Sequence, residues 1–326
     1  MLRRALITRT AWLACLGAAG ATGAWAQAYP TKPVRLLVPF APGGTTDIVA
    51  RIVADKIAGA LGQPMMVENK PGVGGSVGAT ETARSPADGY SLGMANVSTT
   101  ASNPAINPKI AYNPVTDFTP IINIAATPHV IAVHPSFPAR DFKGFLAELK
   151  KNPGKYSFAS AGPGSSPHLL MEMFKHLSGT FVTHIPYPGS GPALKDTAAG
   201  QVPMIIDNLP SALPFIKDGR LVPIVAAAPG RLAMLPGVPT FKEVGLEAVN
   251  RMAYYGIYGP KGLPREVVDK VHAAVKKTLD DPAVKKRIEE TGAFIIGNTP
   301  EQFAEQIKTE FEVYKRVVAQ QKLTLD

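Results

Sequence analysis

The chain of 326 residues has one cysteine, Cys15, and two tryptophans, Trp12 and Trp25, and all three fall within the first 28 residues. From Tyr29 onward there is no thiol, which excludes a disulfide scaffold, a thiol enzyme and a cysteine-zinc site. The same stretch lacks tryptophan, the favoured stacking platform for sugars and cations, which weighs against a sugar ligand. Catalytic signatures are also missing. Gly164-Ser165-Ser166-Pro167 lacks the second glycine of a nucleophile elbow. Gly72-Val73-Gly74-Gly75-Ser76-Val77-Gly78 misses the dinucleotide fingerprint by one residue, and Gly154-Lys155 runs into Tyr156 instead of a phosphate-loop Ser or Thr. The six histidines never take His-x-x-x-His or His-Glu-x-x-His spacing, so neither a metal nor a cofactor is expected. His129, His134, His168 and His184 read as packing or loop hydrogen bonds, with His168 the best exception because it opens a helix after a Gly-Ser loop.

The first 28 residues read as an export signal. Arg3, Arg4 and Arg9 precede an alanine-rich apolar stretch from Ala11 to about Ala24, and cleavage fits after Ala26 or Ala28. The stretch is too short for a confident membrane span. Arg3-Arg4 fits a twin-arginine signal poorly, and Trp12-Leu13-Ala14 before Cys15 fits lipoprotein processing poorly, so ordinary secretion to the periplasm is favoured. Removing Arg3, Arg4 and Arg9 from 34 basic residues leaves 31 against 25 acidic ones, a net charge of +6. The remaining Lys and Arg are scattered, with excess in C-terminal helices such as Lys285-Lys286-Arg287. No aromatics interleave them, so they read as solvated helix faces and no nucleic-acid partner is expected.

What is present is an alternation of strands and helices, an α/β pattern with mainly parallel sheets. Apolar runs predict strands at 34–38, 65–68, 91–95, 121–126, 130–133, 156–160, 181–185, 202–206 and 221–227. Helices are expected at 46–60, 76–84, 142–150, 167–178, 192–199, 209–217, 264–280, 282–290 and 300–320. The last begins Thr299-Pro300-Glu301-Gln302, a capping-box pattern, with Phe303, Ile307, Phe311, Tyr314 and Val318 on its apolar side. In such sheets ligands bind at the carboxyl ends of the strands. Gly-rich loops stand there around Gly43, Gly74, Gly164 and Gly189, and two sheets facing across a cleft would explain why both regions carry them.

The segment Val34 to Arg51 is the most informative. A strand is followed by Pro39-Phe40-Ala41-Pro42-Gly43-Gly44, and Thr45, Thr46 and Asp47 open a helix. The first amides of a helix have no internal partner and the dipole is positive there, so the loop is an anion site. No Lys or Arg lies between Pro39 and Asp47, so a guest is held by amides, hydroxyls and water. Thr45, Thr46 and Asp47 are equally read as caps. Ser165 and Ser166 are caps and candidate ligand donors. Asp207-Asn208 is either a cap for the next helix or a cleft contact, in which Asp207 binds an ammonium or protonated group or orients donors. Tyr254, Tyr255 and Tyr258 read as core or rim.

Several motifs together carry a family resemblance. They include Val-Pro-Phe-Ala-Pro-Gly-Gly-Thr-Thr-Asp-x-x-Ala-Arg at 38–51, Val-Glu-Asn-Lys-Pro-Gly at 67–72 and Ser-Pro-Ala-Asp-Gly-Tyr at 85–90. Further on come Ala-Ser-Ala-Gly-Pro-Gly-Ser-Ser-Pro-His-Leu at 159–169, His-Ile-Pro-Tyr-Pro-Gly-Ser-Gly-Pro-Ala at 184–193, Asp-Asn-Leu-Pro-Ser-Ala at 207–212 and Leu-Pro-Gly-Val-Pro-Thr at 235–240. From Tyr29 to its end the chain resembles the Bug family, the extracytoplasmic solute receptors of tripartite tricarboxylate transporters. The resemblance implies a two-domain Venus flytrap of type II-like architecture: domain 1 from 29–127 plus 229–326, domain 2 from 128–228, with crossings near Thr127 and Ala228. It implies a non-enzymatic monomer that captures a small organic carboxylate and delivers it to membrane permease subunits. The site it implies comprises Phe40, Gly43, Gly44, Thr45, Thr46, Asp47, Ser160, Gly164, Ser165, Ser166, His168, Tyr187, Asp207 and Asn208. Where the family usually carries Tyr-Arg-Gly, this chain has Tyr187-Pro188-Gly189, which removes a cation and a backbone donor. Two alternatives stay open: a hydrolase or transferase using Ser165 and His168, and a sensor for a membrane signalling partner. Which acid is bound is not written in the sequence.

Overall fold

The run Val34–Val38 forms β1, buried except at Arg35, and it lies between β3 and the edge strand β2 of the first sheet. The computed structural model describes residues 29–325, so the expected export signal lies outside the described residues. After β1 come α1 (Thr45–Leu61), β2 (Met65–Asn69), α2 (Ser76–Arg84), β3 (Ser91–Asn96) and, beyond a π turn at Ser98–Ser102, α3 (Asn103–Ile106). β4 (Phe118–Thr127) completes this stretch. The next is β5 (His129–Val133), α4 (Phe142–Lys151), β6 (Ser157–Ser160), α5 (Ser166–Ser178), β7 (Thr183–Pro186), α6 (Ser190–Ala198), β8 (Met204–Asn208), α7 (Leu209–Lys217) and β9 (Val222–Ala227). The chain ends with β10 (Ala253–Pro260), α8 (Arg265–Leu279), α9 (Pro282–Glu289), β11 (Phe294–Ile295) and α10 (Pro300–Gln321).

Two sheets result. The first has the order β11-β4-β10-β3-β1-β2 and the second β7-β6-β8-β5-β9. Both are mixed. β1 pairs in parallel with β2 and β3, while β10 runs antiparallel between β3 and β4. In the second sheet β6 is parallel to β7 and β8, and β5 runs antiparallel between β8 and β9. In each sheet the first strand laid down after the chain crosses from the other, β10 and β5, is inverted, and the short β11 at the edge of the first sheet shares the direction of β10. The chain leaves the first sheet at Thr127, enters the second at His129, leaves it at Ala227 and returns at Ala253.

Packing follows the strand period. In β5, Ile131 and Val133 face one core cluster with Phe145, Phe158 and Phe174, while Val130 and Ala132 face another with Leu194, Leu209 and Leu213. Alternate side chains point to opposite faces, so the second sheet is covered by helices on both. The first sheet buries Val34, Leu36 and Val38 with Val49, Val53 and Ile57 of α1, and α1 lies against α8. α1 ends at Gly62, which takes φ +95° and donates its N–H to the Ala58 carbonyl.

The one long strand that periodicity misses is β10. All eight residues of Ala-Tyr-Tyr-Gly-Ile-Tyr-Gly-Pro are buried, so the strand shows no alternation. Gly256 has no room for a side chain, because a Cβ there would stand 2.3 Å from the Ile122 carbonyl oxygen. α10 carries its capping box as expected: Thr299 and Gln302 each bond the other's backbone N–H. Phe303, Ile307 and Tyr314 are buried, with Phe311 and Val318 packed against the same core.

Candidate functional site

The loops at the carboxyl ends of the two sheets meet. Ala41 N–H donates to the Pro188 carbonyl at 3.3 Å, and Ser102 Oγ donates to the Gly164 carbonyl at 2.8 Å. Glycine makes this approach possible. A Cβ at Gly74 would lie 2.2 Å from the Pro163 oxygen, and one at Gly191 would lie 2.1 Å from the Pro42 oxygen. Between the loops lies a cavity of about 20 Å³. Phe40, Gly44, Thr45, Thr46, Asn96, Ser98 and Tyr255 line it from the first-sheet side, and Ala161, Pro167, Ser190 and Asn208 from the second. No charged side chain is among them.

The loop expected to hold an anion leads into the start of α1. Gly44 is its N-cap residue and supplies no side chain, so the cap position leaves the first amides without a side-chain acceptor. Asn96 Nδ2 donates to Thr46 Oγ1 at 3.1 Å, a bond that does not use the Thr46 hydroxyl hydrogen. The loop is fixed from beneath by Asp47, which accepts from Gly43 N, Arg51 and Asn69 Nδ2. Burial pushes the Asp47 carboxyl up, but these hydrogen bonds outweigh it and hold it below the usual range.

Across the cavity, Asp207 at the end of β8 is fully buried. Its Oδ1 accepts from Ser190 Oγ and its Oδ2 from Ser211 Oγ, both at 2.6 Å. Burial raises its pKa to about 6, against the lowering effect of these serines and of Asn208. Ser211 reaches Thr45 Oγ1 at 2.9 Å, so the two halves are joined through a hydroxyl chain. A second chain runs from Ser98 through Ser166 to His129 Nε2, and His129 Nδ1 lies 2.9 Å from the Arg251 carbonyl oxygen. That contact makes Nδ1 the protonated nitrogen and Nε2 the acceptor. Burial lowers the His129 pKa to about 4, so the ring is neutral near pH 7.

Residues 49–323 match the family model described as the tripartite tricarboxylate transporter family receptor. The chain belongs to that receptor family. It is 33% identical to Protein BugT of Bordetella pertussis over 294 residues, covering 90% of each chain. It is also similar to a solved periplasmic transporter, with 50% identity, a TM-score of 0.90 and coverage of 92% of this chain and 100% of the other. Two Rhodopseudomonas palustris structures resemble it as well. One is MatC with bound malate, 33% identical with a TM-score of 0.86 over 89% of this chain and 100% of MatC. The other is a protein with adipate, 31% identical with a TM-score of 0.87 over 91% and 99%. The receptor family is one of solute-binding proteins with the periplasmic binding fold. No helix among the described residues is long and apolar enough to cross a membrane.

Of the residues expected in the receptor's site, Phe40, Gly44, Thr45, Thr46 and Asn208 line the cavity. The others do not line it, each for a physical reason. Gly43 and Asp47 bond to each other under the loop. Asp207 stands behind Ser190 and Ser211. Ser160 Oγ is 2.7 Å from His184 Nε2 and accepts from Gly162 N. Ser165 caps α5, its hydroxyl donating to the Gly162 carbonyl at 2.7 Å. Gly164 N–H donates to His168 Nδ1, whose buried ring stacks on His184 at 4.1 Å. Burial, with His184 and Lys175 nearby, takes the His168 pKa down to about 3. Ser166 meets Ser98 and His129, and Tyr187 donates to Asp196 Oδ2 at 2.8 Å. Ser165 and His168 therefore form no nucleophile-base pair. Among the described residues no group of three or more His, Cys, Asp or Glu is placed to hold a metal ion.

Sequence reasoning missed Asn96, Ser98, Ala161, Pro167, Ser190 and Tyr255. Asn96 and Ser98 follow directly from the rule that ligands sit beyond strand ends, applied to β3. Ser190 lies in the same Gly-rich loop as Tyr187 and opens α6. Tyr255 was hidden with its strand.

Proposed function

We propose that this protein is a periplasmic receptor that captures a small organic carboxylate between its two sheets and delivers it to the membrane subunits of a tripartite transporter. The observation that carries the reading is the cavity itself: lined from both halves, free of charged side chains, and bounded by the uncapped N-terminus of α1. Amides and hydroxyls there suit a carboxylate without a fixed cation. Malate and adipate in two related structures support an acid as the guest. The fold, the family and the export signal expected over 1–28 support a periplasmic location.

The two domains of the proposal are 29–127 with 229–326, and 128–228. The cavity, at about 20 Å³, has room for a water and is far below the ~300 Å³ of typical ligand pockets. A guest enters when the halves separate and is enclosed when they approach, so it must favour the closed form through contacts on both sides. The crossings are suited to a hinge with defined ends. Asn250 bonds both N–H and carbonyl of Ala228, and Thr127 Oγ1 donates to Asn208 Oδ1 at 3.1 Å. The test is native mass spectrometry of freshly purified protein, then titration of the acid found. A co-purified carboxylate that rebinds with one-to-one stoichiometry is expected. Neither a retained acid nor binding of any added one would sink the proposal.

A further inference from the structure

The hydroxyls around the cavity have a fixed direction, and Asp207 is the reason. A carboxylate only accepts, so Ser190 must spend its single proton on Oδ1. Ser211 has two acceptors within reach, Asp207 Oδ2 at 2.6 Å and the Asn208 carbonyl at 3.0 Å, and gives its proton to one of them. In the Thr45 to Ser211 contact at 2.9 Å, Thr45 is therefore the donor. Ser211 N–H returns a bond to Thr45 Oγ1 at 3.3 Å. The hydroxyls of Thr45, on the first-sheet side, and of Ser190, on the second, consequently have no hydrogen left to offer a guest. At Thr45 one lone pair is taken by Ser211 N–H and the Tyr255 hydroxyl stands within reach of the oxygen, so Ser190 Oγ is the hydroxyl that presents lone pairs. The opposite polarity holds at Thr46, which accepts from Asn96 and keeps its hydrogen, and at the first amides of α1.

We infer that Asp207 is a positioning residue that turns the Ser190 hydroxyl into an acceptor at the cavity, so that the receptor selects carboxylates bearing a hydrogen-bond donor, a hydroxyl or an ammonium, over the unsubstituted acid. This rests on the carboxylate-receptor reading above. The carboxylate of such a ligand meets the α1 end, and its donor meets Ser190 Oγ. An unsubstituted acid leaves the Ser190 oxygen, bonded to Asp207 as a donor, enclosed with no donor for its lone pairs, which disfavours it.

Isothermal titration with matched pairs tests this: malate, aspartate and succinate; 2-hydroxyglutarate, glutamate and glutarate; lactate, alanine and propionate. The expected result is that a donor-bearing acid binds about tenfold or more tightly than its parent. The arms also separate hydroxyl from ammonium. In Asp207→Asn the amide donates to one serine and releases that hydroxyl's proton, so the ratio falls to about threefold or less, the donor-bearing acid losing more affinity than its parent. A loss of packing alone would weaken both acids together. Ser190→Ala removes one acceptor and leaves the buried carboxylate in place; it is expected to shrink the same ratio, and it carries the test if Asp207→Asn does not fold. Parent acids that bind as well as their substituted partners, or a ratio unchanged in the folded variants, would overturn the inference while leaving the receptor reading intact. Binding of no acid in any pair would remove both.

Discussion

Asp47 and Asp207 are both buried acids, and their surroundings drive them in opposite directions. Asp47 is met by Arg51 and stays ionised, holding the first loop. Asp207 has only neutral donors and the nearby Tyr255 ring, so burial dominates. The titrating groups set a pH dependence whose sign can be worked out. His129 and His168 have folded pKa values of about 4 and about 3, below the ordinary 6.5, so their contribution is complete above pH 6.5 and is lost as pH falls, when the unfolded chain takes up protons first. Asp207, raised from 3.8 to about 6, acts oppositely: its contribution is present below 3.8 and lost as pH rises through 6. Two histidines outweigh one aspartate, and unfolding free energy should drop by roughly 3 kcal/mol from pH 7 to pH 4. Urea unfolding of wild type and His129→Gln at both pH values checks this. The variant should lose a substantial part of the drop; an unchanged drop would mean that His129 is not held neutral by the fold. None of these shifts is legible in the sequence, because Asp47 and Asp207 differ only in what the fold brings beside them.

At the scale of elements, legibility follows the strength of local signals. β1 and α2 form where their patterns place them, and α10 keeps both its capping box and its apolar side. Replacing Thr299 with Ala should cost about 1 kcal/mol in chemical unfolding. Ligand affinity should be unchanged, because α10 does not line the cavity; a fall in affinity would tie this helix to the site. β10 fails to announce itself because burial on both faces erases alternation, and the glycines within it mimic loop signals. The Gly-rich loops around Gly43, Gly74, Gly164 and Gly189 were readable as loops at strand ends. Which of their side chains line the cavity was not. Ser160, Ser165, His168 and Tyr187 have suitable chemistry, yet each bonds within its own half, and only tertiary contact decides that.

At the scale of the whole molecule, the two halves touch through backbone and small residues. Gly191→Ala places a methyl group about where the Pro42 oxygen stands, and a backbone oxygen cannot move aside as a flexible side chain can. The variant is expected to fold normally yet lose on the order of tenfold in acid affinity, because the halves cannot meet around the guest. Unaltered affinity in this variant would mean that closure at Gly191 is not part of binding. The central claim, that a carboxylate is the solute held between the sheets, is tested most directly by thermal unfolding of ligand-stripped protein across a broad panel of organic acids. A ligand that binds only the folded form raises the midpoint with concentration, by about 2.7 kcal/mol of added stability at a hundred times its Kd. The account predicts such a dose-dependent rise for at least one small carboxylate and none for its amide. An unmoved midpoint with every acid, or an equal rise with the neutral amide, would contradict it.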